Sequence, residues 1–191
     1  MSETNFENEI FEKLDASANS LTKGEYDNCT FRNCDFSNAD LVNITFVECT
    51  FKDCNLSNAN LNNTGLKDIE FANCKLLGLI WNNCNPFLLL IKFQDCQLDL
   101  ASFYRLSLKR TVFKNCSLQE VDFVEADLSA ASFDNCDLRG AIFENTIVEK
   151  ADFQTAYNYS IDPEINHVYN AKFSIPAIVG LLDKYNIIIE S

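Results

Sequence analysis

Nine cysteines are the first residues of this chain whose chemistry could matter, and six keep a near-constant spacing. Cys34, Cys54, Cys74, Cys96, Cys116 and Cys136 read as one column, with neighbouring thiols about one strand spacing apart, roughly 4.8 Å. Disulfides accept separations of that order. Zinc needs four ligands converging on a tetrahedron, and a linear ladder does not converge. A buried thiol behaves as a small hydrophobe with a raised pKa, so packing is the expected role. The one histidine, His167, lies in Ile165-Asn166-His167-Val168 without a paired nucleophile and reads as structural. Five glycines leave little from which to build a phosphate-cradling loop. No catalytic residue, metal or cofactor is expected, and the chain reads as a non-enzyme.

Acidic side chains are the second candidate. The 191 residues carry 28 acids against 15 Lys and Arg, a formal net charge of −13. Such a chain is repelled by nucleic acid and by anionic membranes, so neither is an expected partner. The acidity is uneven. Residues 113–157 hold nine acids, namely Glu120, Asp122, Glu125, Asp127, Asp134, Asp137, Glu144, Glu149 and Asp152. Only Lys114, Arg139 and Lys150 oppose them there, which leaves −6 in 45 residues. Residues 93–112, by contrast, set Asp95 and Asp99 against Arg105, Lys109 and Arg110. The alternative reading of the acids is a solvated face that keeps the protein soluble. No run approaches the ~18 apolar residues of a membrane span, the longest being Pro86 to Ile91. The opening MSETNFENEI lacks the basic start and apolar core of a secretory signal. With nine thiols, this points to reduced cysteines in a cytoplasm.

The elements that position these groups follow from a period of five. Large apolar residues recur at Leu21, Tyr26, Phe31, Phe36, Leu41, Phe46, Phe51, Leu56, Leu61, Leu66, Phe71, Leu76 and Trp81. After a slip of two residues the series resumes at Leu88, Phe93, Leu98, Phe103, Leu108, Phe113, Leu118, Phe123, Leu128, Phe133, Leu138, Phe143, Val148 and Phe153. Five matches neither the 3.6 of a helix nor the 2 of a strand, so the chain is a repeat protein. The position two before each large residue is mostly small and includes the cysteines, as a second inward side chain with limited room would be. The position two after it, from Asn33 to Asn83, is Asn or Asp in nine of eleven repeats. Those types tolerate the left-handed backbone of tight turns. Each unit therefore reads as a short extended side closing into a turn.

The pattern in Cys34-Asp35-Phe36-Ser37-Asn38 and Ala39-Asp40-Leu41 resembles the pentapeptide-repeat family, over roughly residues 21–157. The resemblance implies an all-β solenoid, a right-handed quadrilateral β-helix with four units per coil. Phe-x-[Asn/Asp]-Cys at Phe31, Phe51, Phe71, Phe93, Phe113 and Phe133 supports a 20-residue coil, about seven in all, with a two-residue bulge near 85–90. Residues 1–20 are expected to form an N-terminal cap, continuing the frame through Phe6 and Phe11. Residues 158–191 are expected to form a C-terminal cap. Within it, Ser174 would cap a short helix that aligns Ile178, Leu181, Leu182 and Tyr185, before a strand-like Asn186-Ile187-Ile188-Ile189. Ile178, Leu181, Leu182, Tyr185, Ile187 and Ile189 are the candidate self-association surface.

Within the family, Glu25-Tyr26-Asp27-Asn28-Cys29-Thr30-Phe31 and Leu181-Leu182-Asp183-Lys184-Tyr185-Asn186-Ile187 resemble the Qnr-type quinolone-resistance proteins and their mycobacterial relative. That resemblance implies a homodimer joined through its C-terminal ends. It also implies an acidic DNA mimic that binds DNA gyrase and topoisomerase IV and protects them from fluoroquinolones. Gyrase-protecting Qnr proteins carry two projecting loops, where this chain has only the bulge near Pro86 to Leu89. A general interaction scaffold, reading an apolar patch of Leu77, Ile80, Leu89 and Leu90, is the alternative.

Overall fold

A computed structural model of the chain describes residues 4–188. Its thirteen short strands are all paired in parallel, in two sheets. Nine form one face, from Ile10–Glu12 through Thr30–Arg32 and Val112–Lys114 to Lys172–Phe173. Four form the preceding face: Asn5–Glu7, Glu25–Asp27, Thr45–Val47 and Gly65–Lys67. Isolated parallel bridges such as Asp35↔Asn55 and Asp40↔Asn60 stack the other two sides. The chain is thus a parallel β-solenoid. Pairing is in steps of 20, as in Phe11↔Phe31↔Phe51↔Phe71, and the step Phe71↔Phe93 is 22. The face with nine rungs exceeds the seven coils counted from residues 21–157, because pairing begins at Asn5 and continues to Phe173.

Two local causes make each side turn. The residue two after the inward one takes a left-handed backbone, from Asn8 (φ 57°) to Asn170 (φ 56°). Asn and Asp dominate in the first half, but Arg105, Arg110, Glu120, Glu125, Ala130 and Lys150 adopt it too. In many units the Asp or Asn before the inward residue accepts a hydrogen bond from the backbone N–H two residues later. Examples are Ser37 N–H to Asp35 (2.9 Å) and Val124 N–H to Asp122 (2.9 Å).

Inside, aromatic rings stack along the axis. From Phe11 to Phe173, successive rings of the nine-rung face lie 4.6 to 5.5 Å apart and within 20° of parallel. Trp81, Phe103, Phe123 and Phe143 form a second stack two sides away. Each ring removed from water stabilises the rod by about 1.5–3 kcal/mol, and offset stacking adds to that.

Two expectations are corrected. Leu88 does not point inward. It takes the left-handed turn (φ 58°) and is 63% exposed, while Leu89 packs on the core in its place. The two inserted residues let the chain swing out and return one residue later than the five-residue frame implies. The C-terminal helix is also different: the segment holds two 3-10 turns, Ile178–Leu181 and Asp183–Tyr185, without a side-chain cap. The Gly180 carbonyl, which an α-helix would use internally, accepts the Ile161 N–H (2.9 Å). At Gly180 the segment lies so close to the Tyr159 backbone that a Cβ would collide with its carbonyl oxygen. Docking onto the last coil thus outweighs the helical period.

Candidate partner-binding surface

The cysteines sit where small side chains turn inward, and all nine are buried and free. The sulfurs of the six-residue column hydrogen-bond to main-chain carbonyls, as Cys54 does to Phe31 (3.4 Å) and Lys52 (3.3 Å). Burial pushes Cys49 up to about 12 and Cys84 up to about 11. Thr64 and Thr146 occupy equivalent positions and donate to the Leu41 and Phe123 carbonyls, so the site accepts any small side chain with a donor. His167 is exposed on a rung bridged to Ile147. Among the described residues no group of three or more His, Cys, Asp or Glu could hold a metal ion.

Folding distributes the nine acids of residues 113–157 over all four sides. Asp134 and Asp152 flank the Phe133 and Phe153 rungs, and Glu120 and Asp137 lie on the Leu118–Leu138 side. Asp122, Glu125 and Glu144 follow the Phe123–Phe143 side, and Asp127 and Glu149 the Leu128–Val148 side. Structural duties occupy several of them. Asp122, Asp127, Asp137 and Asp152 accept the turn N–H of Val124, Ser129, Arg139 and Gln154. Ion pairs between coils engage three: Arg105 with Glu125 (2.7 Å), Lys109 with Asp127 (3.0 Å) and Lys172 with Asp152 (3.4 Å). Asp134 accepts the Thr155 hydroxyl (2.9 Å). The hydrogen bond from Arg105, with its charge, holds Glu125 below the usual carboxylate range. Partial burial opposes ionisation of Asp127, yet bonds from Ser129 and Lys109 outweigh it and leave it lowered. Glu120, Glu144 and Glu149 have neither an ion pair nor a turn-capping bond among the described residues.

A second acidic surface was not singled out in the sequence. Glu7, Glu25, Asp27 and Glu48 share the four-stranded face at the N-terminal end, with Glu7 and Asp27 in direct register. No Lys or Arg joins that face before Lys67. Only the 20-residue register, applied to residues 1–20, would have revealed it.

Of the candidate self-association residues, Leu181 packs against the core and Leu182 is half-buried. Ile178 is 46%, Tyr185 51% and Ile187 56% exposed. Ile189 lies outside the described residues. Lys184 ties this segment to Asp162 (2.8 Å) and Glu164 (2.6 Å), and the Tyr185 hydroxyl donates to Glu164 (2.7 Å). The bond from Lys184 lowers both carboxylates. In the expected apolar patch, Leu77 and Leu89 are half-buried, while Ile80 and Leu90 are exposed. Phe87 (66% exposed) and Leu88 are more prominent than either.

A parallel solenoid of 20-residue coils, four inward residues to a coil, is the architecture of a repeat family. The chain belongs to the pentapeptide-repeat family: the model of its repeat region matches residues 25–86 and 89–157. None of the curated proteins matches the chain. Among solved structures it is similar to a trypsin-treated form of QnrB1, described as a plasmid-mediated fluoroquinolone resistance protein. Identity is 21%, 98% of each chain is covered, and the TM-score is 0.48. Full-length QnrB1 shares 21% identity over 96% of this chain and 100% of that one, with a TM-score of 0.36. HetL is a pentapeptide-repeat protein involved in heterocyst differentiation regulation in the cyanobacterium Nostoc sp. strain PCC 7120. It shares 16% identity over 91% of this chain and 85% of its own, with a TM-score of 0.34.

Proposed function

We propose that this chain is a non-enzymatic acidic rod that takes the place of duplex DNA on a type II topoisomerase, DNA gyrase or topoisomerase IV. The observation that carries this reading is the stacking of outward carboxylates at strand spacing on coils that step by 20 residues from Phe93 onward. Along one side, Asp122, Glu125, Glu144, Asp162 and Glu164 follow one another over successive coils, with Arg105 on Glu125 and Lys184 on Asp162 and Glu164 as the opposing charges. Summed over all four sides, residues 113–157 place roughly one net charge per 1.8 Å of axis, against about one per 1.7 Å in duplex DNA. Such a surface complements the basic track on which a topoisomerase holds DNA, and association would be fast and salt-sensitive.

The same reading includes protection from fluoroquinolones, a homodimer joined through the exposed Ile178 and Ile187, and residence in the cytoplasm. The test is gyrase supercoiling with and without purified protein. Inhibition at micromolar protein that fades as salt rises is the expected result. Replacing Glu120, Glu144 and Glu149 together by Gln should weaken it about fivefold, because charge alone is removed. Supercoiling unchanged at micromolar protein would sink the reading.

A second reading, an interaction scaffold for a different partner, is favoured by one feature. Fifteen of the sixteen phenylalanines lie in ring stacks or ring-edge contacts, and Phe87 is the exception. Binding to a partner that survives high salt would favour it.

A further inference from the structure

The bulge is uncharged and apolar, and bases outnumber acids on the segments that flank it. Residues 86–90 leave the coil between Asn85, in register with Gly65, and Ile91, in register with Ile69. They raise Phe87, Leu88 and Leu90 into solvent, 66%, 63% and 41% exposed. Exposing three large apolar side chains is unfavourable, and Leu88 adds a left-handed backbone that costs a branched residue roughly 1 kcal/mol. A two-residue excision would return the coil to 20 residues, so the coil itself does not require the protrusion. Around it lie Lys67 and Asp68 on the coil before and Lys109 and Arg110 on the coil after, with Lys92 at the edge in register with Glu70. Lys92 is paired to Asp68 (3.1 Å) and Lys109 to Asp127 (3.0 Å), while Lys67 and Arg110 form no ion pair among the described residues. A protein of −13 thus holds an apolar knob flanked by two bases, Lys67 and Arg110, without an ion pair among the described residues.

We infer that the knob is a docking site for an acidic, apolar protein segment, in which aliphatic or aromatic side chains cover Phe87 and Leu88 and flanking carboxylates meet Lys67 and Arg110. Charge complementarity selects this occupant. A nucleic-acid backbone satisfies the bases but offers no aliphatic surface to Leu88 and Leu90, and the rod's own charge repels it. A second copy could bring Ile10 beside Glu7, or Ile187 and Ile188 near Asp183, and sedimentation of the Leu88→Asn variant separates that occupant from a partner segment. The inference rests on the scaffold reading, whose partner it specifies, and is independent of the topoisomerase reading, which uses the acidic surface.

The test is display of random peptides of about 12 residues against the immobilised full chain, followed by anisotropy titration of the enriched peptides. The expected outcome is enrichment of sequences combining Asp or Glu with Leu, Phe or Trp. Leu88→Asn keeps a residue at ease in the left-handed turn, and Phe87→Ser removes the exposed ring. Together they should weaken binding about tenfold, and Lys67→Glu with Arg110→Glu should do likewise, with the unfolding temperature of neither variant lowered. A variant lacking Pro86 and Phe87 supplies an independent control, since it returns the coil to 20 residues. Failure to enrich, enrichment of basic peptides, or binding indifferent to the bulge variants would overturn the inference. So would preferential binding of a short oligonucleotide, or a dimer in sedimentation that Leu88→Asn abolishes.

Discussion

At the scale of single residues, the left-handed turn position governs cost. Each non-glycine residue there bears a steric penalty of roughly 1 kcal/mol, which Asn tolerates best. Ala130 (φ 57°) has no side-chain bond to offset it. Ala130→Asn is expected to raise stability by about 0.5–1 kcal/mol in denaturant titration. Asn115 has both advantages: it donates to Asp95 (2.8 Å) and accepts from Asn135 (3.0 Å). Asn115→Ala should therefore destabilise by about 1–2 kcal/mol. At the buried column, Cys116→Ser should cost no more than about 1 kcal/mol, because a hydroxyl can bond the carbonyl that Thr146 and Thr64 reach in their own coils. The native thiols should resist an aromatic disulfide reagent at mildly alkaline pH and all nine should react after denaturation. Rapid labelling of the folded protein would contradict the burial that defines the column. These positions were legible in the sequence, since five-residue spacing alone separates inward, outward and turn residues.

At the scale of elements, the aromatic stack couples neighbouring coils. Phe133 has a ring above and below, at 5.0 Å and 4.6 Å. Phe133→Ala leaves a cavity between two rungs and should cost about 3–5 kcal/mol, read as the loss in thermal or denaturant unfolding. The C-terminal segment should respond to pH. Asp162 and Glu164 have lowered pKa values in the folded protein, so their contribution is full above the unfolded carboxylate range and is lost as pH falls through the folded values. Hydrogen exchange in residues 178–188 should accelerate on acidification through that window, before the central coils respond. Lys184→Met should produce the same loosening at neutral pH. Equal protection in wild type and variant would show that the ion pairs do not hold the segment.

At the scale of the whole molecule, a solenoid concentrates on four sides the charges that the sequence spreads over many units. The acid-rich stretch 113–157 was visible from composition, but its consequences were not. Three of its nine carboxylates are paired and four cap turns, Asp127 and Asp152 doing both, and Asp134 accepts the Thr155 hydroxyl, leaving Glu120, Glu144 and Glu149 as unengaged charges among the described residues. Replacing Glu7, Glu25 and Asp27 by Gln tests which end of the rod a basic partner uses. On the proposed topoisomerase contact, these changes should reduce inhibition less than the Glu120, Glu144 and Glu149 set. The reverse order in a supercoiling titration would move the contact to the N-terminal end.

The amino-acid sequence by itself determined the period, the 20-residue coil, the inward columns and the place of the bulge. Each follows from steric preferences within five residues and from their repetition, which act whatever the rest of the chain does. The tertiary structure alone decided that Leu89 rather than Leu88 fills the bulged rung, because two extra residues can be accommodated in more than one way. It also decided that the C-terminal segment docks as 3-10 turns instead of a helix. Contacts with Ile161 and Tyr159 outweigh a helical period too short to sustain itself. Finally, it separated the paired acids from the projecting ones, since ion-pair partners lie about 20 residues away and become neighbours only when coils stack.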